Sequence, residues 1–168
     1  MKAFVKPTDL VEAIDDAKSH VMQRVIFWKQ RWTAFAPPAG IAWNWTSVPF
    51  APASANVVPN NQHGLYTFVL TPNVAAHPKN HFVLYVGKAD KTTLRTRFQH
   101  YFQEMKKVKR AHICYALNKF EGNLEFCFTT VATQNDIEPG EDALLVALMP
   151  PFNEKFPASV SQIIGGLK

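Results

Sequence analysis

The sequence is poor in cysteine and in long apolar runs. Its 2 cysteines, Cys114 and Cys127, form neither a CxxC pair nor another paired spacing, which argues against a zinc site or a disulfide framework. We therefore expect both to be reduced core residues. No apolar run approaches the roughly 18 residues of a membrane span, and the N-terminus lacks the apolar stretch of a signal peptide. We expect a soluble, cytoplasmic protein without repeats or low-complexity tracts.

The chain does contain enough apolar side chains for one core. Of its 168 residues, 47% are hydrophobic, which fits a single domain with an extension. Lys and Arg number 18 against 13 Asp and Glu, so the formal net charge is +5. This moderate positive charge favours polyanionic partners, although many basic proteins with other functions share it.

Residues 1–63 contain two kinds of sequence. From Thr8 to about Phe35, apolar residues recur at helical spacing, which predicts one long amphipathic helix. Residues 37–61 are instead punctuated by prolines and contain Trp43 and Trp45. The two tryptophans predict that this segment, which we call the strap, is ordered and packs on the core.

The rest of the chain, residues 64–168, alternates strand and helix patterns. The predicted elements are two paired antiparallel strands over 64–72 and 82–87, helices over about 94–105 and 108–120, a strand over 123–132, a helix that contains Leu144 and ends at Pro150, and a short C-terminal helix. Thr92 and Thr93 are suitable caps for the first of these helices. We therefore predict an α+β domain with a small antiparallel three-stranded sheet flanked by helices.

Polar residues follow the predicted strand ends and helix faces. Tyr66 and Tyr85 lie on the paired strands, Lys88 begins the next turn, Arg97 lies on the following helix, and Glu141 is expected at a helix start. Charges held near a core are costly unless they meet a ligand, and a phosphodiester with a divalent ion would satisfy all of them. Each residue taken alone is more often structural or solvated. The residues by themselves leave both interpretations open.

Two tripeptides, GLY at 64–66 and YVG at 85–87, resemble the signature motifs of the GIY-YIG nuclease family. The stretch YVGKADKTTLRTRFQHYF, residues 85–102, is especially similar to the N-terminal nuclease domain of the bacterial nucleotide-excision-repair incision subunit. The loop before the arginine helix is slightly longer in this chain. Arg97, rather than Arg95, is therefore in register with the catalytic arginine of that domain.

A third region of resemblance lies near the C-terminus. EDALLVALMPPFNEKFP, residues 141–157, resembles the metal-binding glutamate helix of the family and its proline-flanked asparagine, with Glu141 and Asn153 in the matching places. Together the motifs cover roughly residues 64–157. The connection at 73–80 is longer than the usual short hairpin of the family.

The resemblance implies a metal-dependent endonuclease that hydrolyses DNA phosphodiester bonds with a single divalent ion. Glu141 would bind Mg²⁺ or Mn²⁺, and magnesium suits a site with one or two protein carboxylates. Arg97 would neutralise charge on the scissile phosphate. Tyr85 or Tyr66 would position or deprotonate the attacking water, and Lys88 would lower the pKa of the neighbouring phenol.

A rival general base lies on the arginine helix. Many family members have a histidine one turn after the arginine, whereas this chain has Tyr101 there with His100 beside it. His100 is therefore an alternative base. The complete predicted catalytic set is Tyr66, Tyr85, Lys88, Arg97, His100, Tyr101, Glu141 and Asn153.

A run of basic residues, KKVKR, follows the arginine helix at 106–110 and would extend the positive field toward DNA. A solvated helix end explains the same run equally well. The predicted DNA-contacting residues are Lys88, Arg95, Lys106, Lys107, Lys109 and Arg110.

The alternative hypothesis is a non-catalytic module of the same fold that binds nucleic acid or a protein. Filled polar positions in every motif favour the enzyme. No second nuclease domain, zinc finger or helix-hairpin-helix is recognisable, so the sequence does not indicate cleavage specificity. We predict a boundary between an N-terminal part, residues 1–63, and the nuclease-like domain, residues 64–168. The N-terminal part is the candidate surface for a protein partner or a second copy.

Overall fold

A computed structural model of the chain describes residue 26 and residues 28–74, 80–107 and 110–166. The strands are β1 (Thr46–Pro49), β2 (Gly64–Leu70), β3 (Phe82–Ala89) and β4 (Leu124–Thr130), and they form one antiparallel sheet in the order β1-β4-β2-β3. The helices are α1 (Lys29–Thr33), α2 (Leu94–Lys107), α3 (Ala111–Lys119), α4 (Gln134–Leu148) and α5 (Ala158–Gly166), and a 3₁₀ turn covers Pro52–Asn56. The predicted α+β class is confirmed.

The two strands that carry the tyrosines pair as predicted. β2 and β3 are antiparallel, Tyr66 lies opposite Gly87, and Phe68 lies opposite Tyr85. Val, Phe and Tyr side chains favour this arrangement because they pack well on a pleated surface. Both pairs therefore lie on the same face of the sheet. Part of the predicted loop, residues 75–79, lies outside the described residues.

The prediction of three strands is wrong, because the strap supplies a fourth. β1 pairs with β4 from Thr46 opposite Phe128 to Pro49 opposite Glu125. The strand is short and ends on a proline, which an edge strand tolerates because one side makes no ladder bonds. Trp43, just before it, packs against a cluster of buried residues. The prediction that the strap is ordered on the core through a tryptophan is confirmed.

The sheet has a hydrophobic cluster on each face. One cluster is aromatic, joins the sheet to α2 and α3, and includes Tyr66, Phe68 and Tyr101. The other is mainly aliphatic, joins the sheet to α4, and includes Leu65 and Val86. Successive residues of a strand point to opposite faces, so β2 and β3 supply both clusters. We call these the aromatic face and the aliphatic face.

The ends of the helices agree only partly with the sequence. α2 begins after Thr93, whose hydroxyl accepts a hydrogen bond from the Thr96 N–H at 3.2 Å, as expected of an N-cap. α4 begins at Gln134, so Glu141 lies well inside that helix and not at its start. Pro139 is accommodated within it at the loss of one backbone bond. This proline is the reason that the first turns of α4 were not predicted.

The prediction of one continuous helix from Thr8 to about Phe35 is wrong in its described part: residues 26 and 28 are not helical, and α1 begins at Lys29 after Trp28 in an extended conformation. The rest of that predicted helix lies outside the described residues. Among the described residues, no helix is long and apolar enough to cross a membrane.

Candidate functional site

A cleft of about 430 Å³ lies beside β3, the outer strand of the sheet. Its walls come from β3, the start of α3, the middle of α4 and the segment that follows α4. The lining residues are Tyr85, Arg110, Ile113, Glu138, Glu141, Asp142, Leu145, Phe152, Asn153, Glu154, Lys155, Phe156 and Pro157. Three predicted site residues, Tyr85, Glu141 and Asn153, therefore share this cleft.

Asn153 closes the free edge of β3. Its side-chain Oδ1 accepts a hydrogen bond from the Val86 N–H at 2.9 Å, and its Nδ2 donates to the Val86 carbonyl at 2.8 Å. The Phe152 N–H donates to the Leu84 carbonyl at 3.1 Å. The asparagine amide therefore takes the place of a neighbouring strand. Its role in the structure is to hold the cleft wall against β3.

On the aromatic face, buried and half-buried tyrosines and arginines form a connected set that we call the tyrosine–arginine cluster. Its members are Tyr66, Tyr85, Arg97, Tyr101, Glu104 and Arg110. The hydroxyls of Tyr66 and Tyr101 are 2.8 Å apart, and Arg97 Nε donates to the Tyr66 hydroxyl at 3.0 Å. The rings of Tyr66 and Tyr85 stack with centroids 6.4 Å apart. The predicted meeting of the two strand tyrosines is therefore present.

Both glycines of the tripeptide motifs allow close packing in this region. A Cβ on Gly87 would lie 2.5 Å from the Tyr66 hydroxyl oxygen and 2.8 Å from the Tyr85 ring. A Cβ on Gly64 would collide with the Thr129 carbonyl. Gly87 therefore makes room for the Tyr66 phenol, so the tyrosine of one motif requires the glycine of the other.

Glu104 joins two arginines that both lie close to the Tyr101 ring. Its carboxylate accepts from Arg110 Nε at 2.8 Å and also pairs with Arg110 Nη2, while Arg97 Nη1 is 3.4 Å away. The guanidinium carbons of Arg97 and Arg110 lie 4.9 and 4.7 Å from the centroid of the Tyr101 ring. A cation near an aromatic ring is attracted by the ring quadrupole, so the two arginines and the ring hold one another in place.

Burial raises the pKa of the three cluster tyrosines. Tyr66 and Tyr101 are fully buried, and desolvation raises the pKa of each phenol above its ordinary value of 10.0. Desolvation also raises the pKa of Tyr85, followed by the effect of Tyr101. Removal from water disfavours the phenolate more than the nearby arginines favour it. All three tyrosines are therefore protonated at neutral pH.

The expectation that Lys88 lowers the pKa of Tyr85 is wrong. Lys88 is an odd number of residues from Tyr85 along β3, so it points to the aliphatic face while Tyr85 points to the aromatic face. The Lys88 ammonium lies 3.1 Å from a Glu141 oxygen and 3.2 Å from a Glu138 oxygen. Lysine and tyrosine therefore act on opposite sides of the strand.

Lys88 and Glu141 form the charged end of the aliphatic face. Burial raises the pKa of the Glu141 carboxyl, and the hydrogen bond and charge of Lys88 only partly offset this effect. For Lys88, burial lowers the pKa, but the two glutamates together outweigh it and raise the pKa overall. The side chain of Glu138 is 77% exposed, whereas that of Glu141 is 17% exposed. Glu141 is thus the partner that the fold holds in place.

The donors around Glu141 fit a magnesium-type site. No group of three or more His, Cys, Asp or Glu side chains converges among the described residues, so no ready-made cage of protein ligands is found there. Mg²⁺ needs only one or two carboxylates and keeps several waters. Glu141 lines an open cleft with Asp142 beside it, which satisfies that requirement. A bound cation would compete with Lys88 for the Glu141 carboxylate.

The predicted α2 side chains that the structure describes do not line the cleft. Arg97 is not among the cleft-lining residues, and His100 makes no hydrogen bond or ion pair with any other described residue. Arg95 donates to the carbonyls of Val58 at 2.7 Å and Asn56 at 2.8 Å, so it ties the strap to α2. Lys106 is exposed on α2. The Lys107 side chain and Lys109 lie outside the described part of the chain.

Sequence reasoning missed Glu104 entirely and did not connect Arg110 with Tyr85. Arg110 lines the cleft, and its Nη1 lies 3.5 Å from the Tyr85 hydroxyl. A signal for Glu104 exists, because it is seven residues after Arg97 and therefore two turns along the same helix face. No local pattern relates Arg110 to β3, since the contact depends on how α3 packs.

Comparison with known proteins gives no further assignment. No family model matches the chain, and neither curated proteins nor solved structures yield a match.

Proposed function

We propose that the protein is a metal-dependent endonuclease that hydrolyses DNA phosphodiester bonds, of the GIY-YIG type that its motifs resemble. The observation that carries the proposal is the arrangement of Tyr85, Arg110 and Glu141 around one cleft at the edge of β3. A cation, a hydroxyl donor and a carboxylate in one cleft are the groups that phosphoryl transfer needs for charge stabilisation and positioning.

Glu141 would hold a single Mg²⁺ or Mn²⁺ ion. When bound, the ion would act as a Lewis acid on a phosphoryl oxygen and lower the pKa of nearby water. Lys88 would keep the Glu141 carboxylate ionised and oriented, because it lies 3.1 Å away. Asn153 would keep the cleft wall fixed on β3 through its bonds to Val86.

Tyr85 would act as a hydrogen-bond donor and not as a general base. Its raised pKa keeps the phenol protonated, so the hydroxyl can donate to a phosphate oxygen or orient the attacking water. Tyr66 would not touch the substrate, because it is fully buried behind Tyr85. Its hydrogen bonds to Tyr101 and Arg97 would position the cluster that surrounds Tyr85.

The decisive experiment is incubation of the purified protein with plasmid and oligonucleotide duplexes in Mg²⁺, in Mn²⁺ and in EDTA. We expect cleavage with either ion and none in EDTA. Binding of DNA without cleavage of any substrate would instead favour the non-catalytic module.

A further inference from the structure

The two arginines on the Tyr101 ring differ in what they face. Arg97 directs Nε to the Tyr66 hydroxyl at 3.0 Å and Nη1 toward Glu104 at 3.4 Å, and it does not line the cleft. Arg110 also lies over the Tyr101 ring, and it does line the cleft. A phosphate bound in the cleft could therefore contact Arg110 but not Arg97, although both side chains carry a guanidinium group.

The Arg110 guanidinium is held firmly at one end and makes only a long contact at the other. Glu104 binds Nε and Nη2, which fixes the plane of the group. Nη1 is 3.5 Å from the Tyr85 hydroxyl, a separation at the outer limit of a hydrogen bond. An oxyanion at the cleft surface beside these two groups would accept shorter hydrogen bonds from both than they make with each other.

The start of α3 adds a second source of positive potential beside Arg110. Arg110 is the N-cap residue, and its side chain makes no cap hydrogen bond because arginine has no acceptor. No acidic residue occurs in the first turn, and Ile113 of that turn lines the cleft. The N–H groups at a helix N-terminus favour an anion, and α3 has no acidic residue of its own in its first turn, although Glu154 lies 3.9 Å from His112 there.

The rest of the cleft is mainly acidic, which limits where a phosphate can lie. Its lining contains Glu138, Glu141, Asp142 and Glu154 against the cations Arg110 and Lys155. Like charges repel a phosphate from the α4 wall unless a divalent ion intervenes. Three of the four acidic residues belong to α4, whereas Glu154 lies near His112 at the start of α3, so the part of the cleft beside Tyr85 and Arg110 is the electrostatically favourable side.

We propose that Arg110, and not Arg97, contacts the scissile phosphate. Glu104 and Tyr101 are the positioning residues that orient the Arg110 guanidinium. Arg97 holds Tyr101 in place indirectly, through its hydrogen bond to the Tyr66 hydroxyl. This inference rests on the proposed nuclease function, but it also predicts a phosphate contact that can be measured without cleavage.

The test compares four variants with the wild-type protein: Arg110→Ala, Arg110→Lys, Arg97→Ala and the control Lys119→Ala. Lys119 is the last residue of α3, at the opposite end from Arg110, and it does not line the cleft. One measurement is the single-turnover cleavage rate of a labelled duplex in Mg²⁺. The other is the salt dependence of binding of that duplex in EDTA.

Arg110→Ala should lower the cleavage rate about 10² to 10³ fold, the usual effect of removing one transition-state donor. It should also reduce the slope of log K against log salt by about 0.9, the value for one phosphate contact. Arg110→Lys should keep the slope but not the rate, because an ammonium cannot reproduce the planar fork held by Glu104. Arg97→Ala and Lys119→Ala should leave the slope unchanged, because neither side chain lines the cleft.

A wild-type rate and slope in Arg110→Ala, together with a slope reduced by about 0.9 in Arg97→Ala, would overturn the assignment and leave the nuclease proposal intact. If the wild-type protein cleaves no DNA, the nuclease proposal fails, and the salt slope still decides the role of Arg110. If Arg110→Ala does not fold, as judged by thermal unfolding, the rate of Arg110→Lys decides instead: a wild-type rate in that variant overturns the proposal.

Discussion

The two faces of β3 treat their polar groups in opposite ways. On the aromatic face, hydroxyls and guanidinium groups bond to one another inside a cluster of rings, and only Tyr85 and Arg110 of that set line the cleft. On the aliphatic face, Lys88 meets two carboxylates at the edge of the core, and both carboxylates line the cleft. The aromatic face therefore fixes the orientation of guanidinium groups and neutral hydroxyls, whereas the aliphatic face brings a lysine and two carboxylates together. Substitutions on the two faces should therefore fail in different ways.

The largest effect is expected on the charged face. Glu141→Ala should abolish cleavage while DNA affinity falls little or rises, because the variant loses the metal-binding carboxylate and a negative charge that repels phosphate. Cleavage of plasmid in Mg²⁺ and binding of a duplex by fluorescence anisotropy measure the two quantities.

Glu138→Ala is the matched control for this prediction. It removes the other carboxylate partner of Lys88 from the same helix, but that side chain is mostly exposed. We expect its cleavage rate to stay close to that of the wild type. Equal losses in the two variants would mean that the Lys88 ion pairs, and not a metal at Glu141, are what matters.

On the aromatic face, Tyr85→Phe should lower turnover about 10² fold while the protein remains folded and binds DNA. The ring packing is kept and only a hydrogen-bond donor to the reacting phosphate or water is lost. Single-turnover kinetics at saturating protein measure this loss. His100→Ala is the comparison variant, and we expect it to cleave at the wild-type rate. The reverse pattern would make His100 the base and remove Tyr85 from the reaction.

The edge of β3, where the two faces meet, should respond in stability. Asn153→Ala leaves the Val86 N–H and carbonyl without their partners, which should lower the free energy of unfolding by about 1–3 kcal/mol. Asn153→Asp keeps an acceptor for the N–H but places a carboxylate oxygen against the Val86 carbonyl, so its loss should be at least as large. Urea denaturation followed by circular dichroism measures both. An unchanged midpoint in Asn153→Ala would show that water replaces the amide without cost.

The smallest difference between variants is expected in the dependence of stability on alkaline pH, to which the three tyrosines of the aromatic face contribute together with Lys88 and Cys127, whose pKa values are also raised. Tyr66, Tyr85 and Tyr101 have pKa values raised above 10.0 in the folded protein, so the unfolded chain releases their protons first as the pH rises. Their contribution to stability is therefore complete below pH 10 and declines above it, by about 1 kcal/mol per tyrosine at pH 10.5. Urea midpoints at pH 9 and 10.5 measure the decline. Tyr85→Phe should show a smaller decline than the wild type.

Part of this arrangement is predictable from the sequence because local rules decide it. Alternation in β2 and β3 predicts a hairpin with Tyr66 and Tyr85 on one face, and Thr93 predicts the start of α2. The alternation does not, however, predict how deeply each side chain is buried. The complete burial of Tyr66, which prevents it from touching a substrate, depends on the α2 and Phe126 side chains that pack over it.

Other parts escaped prediction because distant segments determine them. β1 lies between prolines, and only its pairing with β4 makes it a strand. Proline usually ends a helix, so the sequence predicts that α4 starts after Pro139, near Glu141. In the structure α4 starts at Gln134, and Glu141 lies in the middle of the helix, away from the N-terminal end of its dipole. Arg110 and Tyr85 are brought together by tertiary packing alone. Sequence motifs therefore identified which residues to examine, while their individual roles required three-dimensional contacts.

The two outer strands also bear on how the protein behaves at high concentration. An open sheet presents unpaired backbone groups at both edges, and such edges recruit strands from other molecules. Here one edge is only four residues long and ends in Pro49, and the Asn153 amide occupies the backbone of Val86 on the other. The sheet is thereby protected against growth into fibrous aggregates. Loss of Asn153 would accordingly be expected to appear first as turbidity on storage, well before the folded state is lost.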